Sequence, residues 1–312
     1  MRNDFSSPAV SNSTFSGNSA SSSGGGMVNV YSSPTVTNCT FSGNSAYDGG
    51  GMDNSNSSSP AVINCTFLGN SAPFGGGMEN SFSSPTVTDC TFSNNSSKAE
   101  GGGMYNYAAS PIVTNCMFSG NSAAMRGGGI GNSNFSSLPT VTNCAFSTNS
   151  AGQEGGGMYN ESSSPTVTNC TFSRNSAANG SGMFNYNSPS PTVTNCIFWN
   201  STFPSGSEFN DTSASVTYSI VQGGYPGGTN IMNQDPRFVD ANSGDLHLQP
   251  SSPAIDQGSN CSSVVPRTDS GGKARWDVAS VTNAPGMAGV DLGAYEFQGH
   301  FVNGDTVIAS CK

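Results

Sequence analysis

The chain has 312 residues, of which 40 are glycine and 9% are charged, and its formal net charge is −10. Because this acidic balance repels phosphate backbones and anionic lipid headgroups, we expect no nucleic-acid or membrane-surface partner. The sequence contains no run of 18 or more apolar residues, so we also expect no membrane insertion.

Residues 1–204 form a sequence repeat. Its unit reads S-P-T-V-T-N-C-T-F-S-G-N-S-A, followed by a variable stretch, then G-G-G-M-x-N and a serine-rich return. The unit alternates β-branched and aromatic residues and has no 3.6-residue period, which predicts short strands rather than helices. Cysteines mark the period, at intervals of 25 to 28 residues: Cys39, Cys65, Cys90, Cys116, Cys144, Cys170 and Cys196.

A loop of about 26 residues that stacks on copies of itself pairs each strand in parallel with its equivalent, about 4.8 Å away. The sequence therefore predicts an all-β fold, a right-handed parallel β-helix of about eight to nine coils with three short strands per coil. Side chains alternate along a strand, so each coil directs four residues inward. In the second coil these are Val36, Cys39, Phe41 and Met52.

Asparagines recur at the predicted bends. Asn38, Asn44 and Asn54, with their equivalents, are predicted to form ladders, because stacked amides can both donate and accept hydrogen bonds. The Asn-Cys-Thr triplets at Asn38, Asn64 and Asn169 match the N-glycosylation pattern, but their place in a ladder predicts that they are inaccessible.

The cysteine column predicts free thiols. Its seven members are odd in number, and equivalent Cβ atoms about 4.8 Å apart are farther from each other than the roughly 3.5–4.5 Å that a disulfide prefers. Buried thiols that pack as small apolar groups are therefore expected. Cys261 and Cys311 lie outside the column and can pair with each other.

The repeat ends near residue 204, where the cysteine column stops and charged residues become more frequent. We assign residues 1–204 to the β-helix, 205–229 to a degenerate last coil and linker, and 230–312 to a C-terminal capping region. Residues 215–221 read as the degenerate ninth coil. Because an open β-helix end exposes unpaired strand edges, the capping region is predicted to fold over the C-terminal end.

The outward face of the T-V-T strands carries two columns of threonine with no charge among them. Neighbouring threonines are expected about 6.6 Å apart within a coil and about 4.8 Å apart between coils. This grid resembles the T-x-T arrays of β-helical ice-binding proteins, although threonine is also simply a good exposed strand residue. Ala61, Ile63 and Ile112 interrupt the grid. Its threonines are Thr35, Thr37, Thr86, Thr88, Thr114, Thr140, Thr142, Thr166, Thr168, Thr192 and Thr194.

The G-G-G-M-x-N strand is the second candidate surface. Three glycines per coil predict a strip of nearly bare backbone, and the residues after the methionine are predicted to point outward beside it. Aromatic rings stack on pyranose rings and carboxylates accept sugar hydroxyls, which indicates a glycan-binding face. The competing interpretation is that the glycines only allow a tight turn. The predicted glycan-binding residues are Tyr105, Tyr107, Tyr159, Glu161, Phe184 and Tyr186.

No catalytic set is evident in the sequence. If the protein is an enzyme, Asp53 and Glu79 on adjacent coils are the candidate carboxylate pair of a polysaccharide lyase or glycoside hydrolase. Residues 1–204 contain no histidine, and His247 and His300 are isolated. A lyase would also need a cluster of Lys and Arg, which the repeat lacks.

No cofactor and no metal are expected. Asp48 with Asp53, or Asp235 with Asp240 and Asp245, could bind a structural Ca²⁺. However, neither an EF-hand loop nor a G-G-x-G-x-D repeat is present, so these acids are predicted to cap turns.

The repeat P-T-V-T-N-C-T-F-S-G-N-S-A with G-G-G-M-x-N resembles those of bacterial surface β-helix proteins related to the chlamydial polymorphic outer-membrane proteins. From Asn233 onward, N-Q-D-P-R-F-V-D, D-L-H-L-Q-P-S-S-P-A-I-D-Q-G-S and D-L-G-A-Y-E resemble the C-terminal region of proteins with a choice-of-anchor Q domain. These resemblances imply a β-helix and a secreted or bacterial cell-surface location, but no single activity. The chain enters the repeat within its first residues, so a signal peptide or further coils are expected to precede it.

Together these patterns favour a non-catalytic, monomeric scaffold, secreted or on the cell surface. Its repeated face would bind an extracellular glycan, polymer or surface, with avidity arising from repetition. Two alternatives remain: an ice-binding protein that uses the threonine face, and a polysaccharide lyase or glycoside hydrolase that acts along the G-G-G-M strand.

Overall fold

The computed structural model describes residues 1–134, 137–201, 208–210, 213–259, 268–277, 290–297 and 306–307. Every regular element within these ranges is a β-strand. Accordingly, they contain no segment that could cross a bilayer as a helix.

Each coil contains three principal strands, named here after their sequences. The TVT strands are Ala9–Ser11, Thr35–Thr37, Ala61–Ile63, Thr86–Thr88, Ile112–Thr114, Thr140–Thr142, Thr166–Thr168 and Thr192–Thr194. The TFS strands are Thr14–Ser16, Thr40–Ser42, Thr66–Leu68, Thr91–Ser93, Met117–Ser119, Ala145–Ser147, Thr171–Ser173 and Ile197–Trp199. The MxN strands are Arg2–Asp4, Met27–Val30, Met52–Ser55, Met78–Ser81, Met104–Tyr107, Ile130–Ser133, Met158–Glu161, Met183–Tyr186 and Phe209–Asn210. Four coils add a short strand before the glycines: Ser71–Phe74, Ser96–Glu100, Ser122–Ala123 and Ser150–Ala151.

Equivalent strands of successive coils pair in parallel and in register. Val36 pairs with Val62 in the TVT strands, and Met52 pairs with Met78 in the MxN strands. The TVT and TFS strands share one sheet, and the MxN strands form a second sheet of nine strands. The predicted all-β parallel β-helix is therefore confirmed.

A left-handed residue joins each TVT strand to its TFS strand. In the second coil this residue is Asn38, with φ of +54°, a conformation that asparagine adopts more readily than most residues. The bend turns the side chain outward, and Asn64 Nδ2 donates to Asn38 Oδ1 at 2.8 Å on the surface. Asn38 and Asn64 are exposed or partly exposed, so their predicted inaccessibility is wrong, whereas Asn169 is buried as predicted.

The interior is a set of columns of identical side chains. Eight phenylalanines of the TFS strands stack with ring centroids 4.5 to 4.9 Å apart and ring planes within 6° of parallel. Columns of valine, cysteine and methionine run beside them and are almost completely buried. The positions predicted to face inward do so in every complete coil.

Two buried asparagine ladders run along the helix, as predicted. Asn44 Nδ2 donates to Asn70 Oδ1 at 2.9 Å, and Asn54 Nδ2 donates to Asn80 Oδ1 at 2.8 Å. In both ladders the side-chain amide donates to the asparagine of the next coil toward the C-terminus wherever one follows. The ladders satisfy polar groups that would otherwise be costly inside the coil.

The seven column cysteines are buried free thiols. The backbone N–H of Cys39 donates to Cys65 Sγ at 3.4 Å, and the Cys65 thiol donates to the Ile63 carbonyl at 3.3 Å. Burial raises the pKa of the Cys116 thiol well above its ordinary value, so at neutral pH this sulfur carries its proton.

We expect these seven thiols to be unreactive toward Ellman's reagent in the native protein, because the reagent needs an accessible thiolate. After denaturation, thiol titration should give seven equivalents if Cys261 and Cys311 are bridged, and nine if they are free. Both of those residues lie outside the described part of the chain. A count well below seven would contradict the free-thiol column.

Residues 208–210 and 213–232 close the C-terminal end of the interior. Ser215–Val221 pairs in parallel with the last TVT and TFS strands, and Thr229–Met232 pairs with it in turn. Phe209 contacts Phe198 and Tyr225 edge-on, each at 5.1 Å between ring centroids. The parallel ring stack thus ends in perpendicular contacts. The predicted boundary at residue 204 lies outside the described residues.

The rest of the described C-terminal region packs against the side of the last coils. This C-terminal module consists of residues 233–259, 268–277 and 290–297 and includes the antiparallel pair Phe238–Asp240 and Asp245–Leu248. Asn195 Nδ2 donates to the Ser259 carbonyl at 2.7 Å, and the Ala294 N–H donates to Thr171 Oγ1 at 2.9 Å.

This lateral position differs from the predicted one over the end. Ala145 and Ile197 stand where most TFS strands have threonine, and they join a second apolar core with residues of the module such as Leu246 and Leu292. The apolar replacements on the outer face therefore give the module a docking surface along the side of the helix.

Candidate functional site

The residue after the methionine of each MxN strand is buried instead of lying along an open groove. The glycines cause this arrangement: Gly49 has φ of +59°, and a Cβ on Gly50 would collide with the Gly76 carbonyl oxygen. The chain therefore doubles back tightly, and the residues before the glycines pack over the MxN strands. The residues covered in this way are Asp53, Glu79, Tyr105, Tyr159 and Phe184.

Three carboxyl groups meet under this covering layer. Asp53 and Glu79 are register neighbours with exposed fractions of 3% and 7%, and Asp48 is hydrogen-bonded to Glu79. We call these three residues the acidic cluster. Asp53 Oδ2 accepts from Ser55 Oγ at 3.3 Å, and Glu79 Oε2 has no partner among the described residues.

Burial raises the pKa of Asp53 to about 7 and that of Glu79 to about 9, and the neighbouring acids add to both increases. A hydrogen bond between two carboxyl groups requires a proton. This bond raises the pKa of Glu79 further and opposes the rise in the pKa of Asp48 that burial causes. At neutral pH Glu79 therefore holds a proton.

This arrangement does not support the enzyme alternative. A glycosidase needs both carboxyl groups at the scissile bond, in contact with the polymer. Asp53 and Glu79 instead lie beneath the surface, and the predicted strip of bare backbone between them is buried as well.

The acids considered as metal ligands are not grouped as a metal site. Among the described residues no three or more Cys, His, Asp or Glu side chains are placed to hold a metal ion together. Asp235, Asp240 and Asp245 each accept a hydrogen bond from the backbone N–H two residues later, at 2.8 to 3.1 Å. These bonds are the turn-capping role that the sequence predicted.

A second charged cluster surrounds Arg126. Its guanidinium lies 3.4 Å from Glu100, 3.1 Å from Glu154 and 3.8 Å from Glu161, and 5.1 Å above the ring of Tyr159. Glu161, a predicted glycan ligand, is therefore engaged in an ion-pair network that links three successive coils.

Of the predicted glycan-binding residues, Tyr107 and Tyr186 are exposed, whereas Tyr105, Tyr159 and Phe184 are buried. The burial has the cause described for the MxN strands: the variable stretch packs over the position after the methionine. The exposed pair lies two residues further on, where each MxN strand leaves the covering layer.

Five exposed aromatic side chains lie along the side of the MxN sheet where its strands end. We call this set the aromatic ridge; its members are between 39% and 79% exposed and are Phe5, Tyr31, Phe82, Tyr107 and Tyr186. Phe5 and Tyr31 stack at 4.8 Å with planes 12° apart, and Phe82 meets Tyr107 edge-on at 5.5 Å. The ridge thus presents aromatic surface to solvent from several coils along the helix axis.

Phe5, Tyr31 and Phe82 were missed by the sequence analysis. All three have positive φ, near +50°, at the turn that follows the MxN strand, where other coils carry serine, alanine or asparagine. The available signal was a bulky aromatic at a position that otherwise holds small turn residues. Such a residue has no place inside the turn and must point outward.

Two overlapping segments, residues 2–141 and 114–243, match the family model described as the right-handed β-helix region. Together they span residues 2–243, well over half of the chain. The chain belongs to the right-handed β-helix family. No curated protein gives a significant match. The finer resemblances to chlamydial polymorphic proteins and to choice-of-anchor Q proteins stay predictions.

In this right-handed β-helix the threonine grid is not a continuous free face. Thr35, Thr86 and Thr192 are exposed, but Thr142 and Thr168, 5% and 2% exposed, are buried where the C-terminal module packs. The remaining threonines of the grid are half-buried: Thr37, Thr88, Thr114, Thr140, Thr166 and Thr194. An ice-binding surface needs a flat open grid, and the lateral module shortens this one.

Proposed function

We propose that this right-handed β-helix is a non-catalytic, secreted or cell-surface scaffold that binds a neutral polysaccharide along the aromatic ridge. The observation that carries the proposal is the exposure of five aromatic rings along the side of the MxN sheet where its strands end. Aromatic faces stack on the apolar faces of pyranose rings, and exposed aromatic residues that recur along an axis suit a polymer better than a compact ligand. Weak contacts at several coils add up through avidity.

The charge distribution favours a neutral polymer. The chain carries a net charge of −10, and Arg2, the arginine nearest to Phe5, is paired with Asp4. The negative net charge would repel an acidic polysaccharide and lower its affinity, whereas the affinity for a neutral polysaccharide would be unaffected.

We expect the triple substitution Y31A/F82A/Y107A to weaken binding to an insoluble neutral polysaccharide at least about tenfold, because each stacked ring contributes about 0.5–1.5 kcal/mol. Pull-down isotherms on cellulose, chitin, starch and mannan measure the effect. Tyr47→Ala is the matched control, because Tyr47 is 59% exposed but lies outside the ridge.

Two results would reject the proposal. One is that the wild-type protein binds none of the four polymers, or binds them as tightly after the triple substitution. The other is release of reducing ends from any of them, which would show catalysis.

A further inference from the structure

A cleft of about 290 Å³ lies at the seam between the last coil and the C-terminal module. The coil contributes Trp199 and Asn200, and the module contributes Asp235, Arg237 and Gln249, with Phe238 among the apolar lining. The cleft therefore exists only when the module is docked.

The arginines of the described residues divide into two groups. Arg2, Arg126 and Arg275 each form an ion pair with a carboxylate. Arg174 and Arg237 have no carboxylate partner within the described ranges. In a chain with a net charge of −10, two arginines without a counter-ion are unusual, and one of them, Arg237, lines this cleft.

Both arginines are held in place by neutral groups. Arg237 lines the cleft, and its Nη1 donates to the Ser251 carbonyl at 2.9 Å. Arg174 lies on the preceding coil: its backbone N–H donates to the Trp199 carbonyl at 3.4 Å, and its Nη1 donates to Asn242 Oδ1 at 2.5 Å. The planar guanidinium of Arg237 keeps further donors for a ligand, in the fork geometry that matches a carboxylate.

The other lining groups suit a sugar ring. Trp199 is only partly buried, and its ring stacks on no other described ring. Gln249 Nε2 donates to the Phe238 carbonyl at 2.9 Å, which leaves Oε1 as an acceptor. The side-chain amide of Asn200 and the second carboxylate oxygen of Asp235 also have no hydrogen-bond partner among the described residues.

We propose that this cleft binds a carboxylate-bearing sugar, one uronic acid residue. The Arg237 guanidinium receives the carboxylate, Trp199 stacks on the pyranose face, and Asn200, Asp235 and Gln249 bond the ring hydroxyls. This site is separate from the aromatic ridge and has the opposite charge preference. Because charges are screened over about 8 Å at physiological ionic strength, the groups that line the cleft set the local field, with Arg237 as its cation and Asp235 as its anion.

The test titrates glucuronic and galacturonic acid into the full chain by calorimetry or NMR, with glucose, galactose and acetate as comparison ligands. We expect saturable binding of a uronic acid, at least about tenfold tighter than that of its neutral counterpart or of acetate. Its affinity should fall as salt is added.

Arg237→Gln should weaken uronate binding about tenfold to a hundredfold and leave the weak binding of glucose unchanged. Trp199→Ala should weaken both. Because Arg237 also supports the Ser251 carbonyl, Arg237→Lys provides a second variant that keeps the charge but loses the fork, and it should also bind uronate more weakly. Thermal melting shows whether each variant keeps its module docked.

The proposal would be overturned if the protein binds no uronic acid, or binds it no more tightly than the neutral sugar or acetate. It would also be overturned if folded Arg237→Gln binds the uronic acid as tightly as the wild type. The ridge variant Y31A/F82A/Y107A should retain full uronate affinity. The two proposals can therefore fail independently.

Discussion

Replacing Glu79 with glutamine should stabilise the protein at about pH 9. The wild type is expected to lose stability between about pH 5 and pH 9, and most of that loss should be absent in the variant. The folded-state pKa values of Asp53 and Glu79, about 7 and about 9, lie above the ordinary carboxyl values of 3.8 and 4.5. The folded chain therefore holds protons that the unfolded chain releases, so the free energy of unfolding falls as the pH rises. Because a tenfold change in a proton-binding constant corresponds to about 1.4 kcal/mol, we expect the wild type to lose several kcal/mol of stability over this range.

Glutamine keeps the size of Glu79 and supplies a permanent N–H donor toward Asp48, so the variant needs no proton. Urea unfolding at several pH values measures the difference, and hydrogen exchange at the amides of Met52–Ser81 locates it. Asp89→Asn is the matched control: Asp89 lies outside the acidic cluster, in the bend ladder where most coils have asparagine. Equal pH dependence in the wild type and Glu79→Gln would show that the acidic cluster stays ionised.

Arg275→Met should release the C-terminal module from the side of the helix. Arg275 is completely buried, and its guanidinium lies 2.6 Å from Glu296 and donates to Asn143 Oδ1 at 3.0 Å, so one side chain joins the module to the repeat. Removing one partner of a buried ion pair leaves the other charge unpaired, at a cost of about 3–5 kcal/mol. Limited proteolysis and hydrogen exchange across residues 254–259 and 290–297 should show loss of protection.

The double substitution R275M/E296L removes both charges and should recover most of the lost stability, because an apolar pair of similar volume is often no worse than a buried ion pair. A module that stays fully protected in Arg275→Met would show that its apolar core suffices for docking. Release of the module should also abolish the seam cleft and its proposed uronate binding, while the aromatic ridge is retained.

The repeat made the coil interior predictable from sequence. Once Cys39 and Cys65 are aligned, every strand position follows, because side chains alternate and equal positions stack. The columns of Val36, Phe41 and Met52 and both buried asparagine ladders were therefore obtained without tertiary information.

The outer surface was less predictable, because it depends on what packs over a strand. Asp53 and Tyr105 alternate outward, as expected, but the glycines allow the preceding stretch to cover them. The position of the C-terminal module depends on Ala145 and Ile197, two apolar residues in a column that is mostly threonine. Met117 is a third apolar residue of that column but remains exposed, so the sequence alone does not show which of them contact the module. The ridge residues Tyr31 and Phe82 occupy turn positions that strand alternation does not address.

The two buried asparagine ladders give the helix an electrical direction. Each side-chain amide is a dipole, and because all of them donate toward the same end, their dipoles add along the axis instead of cancelling. One ladder ends at Asn185, whose Nδ2 is buried without a partner among the described residues, so that terminus carries an unused donor. The surface ladder at the bends, as in Asn64 to Asn38, donates the opposite way and offsets part of this dipole, so it is the two ends of the buried interior that differ chemically.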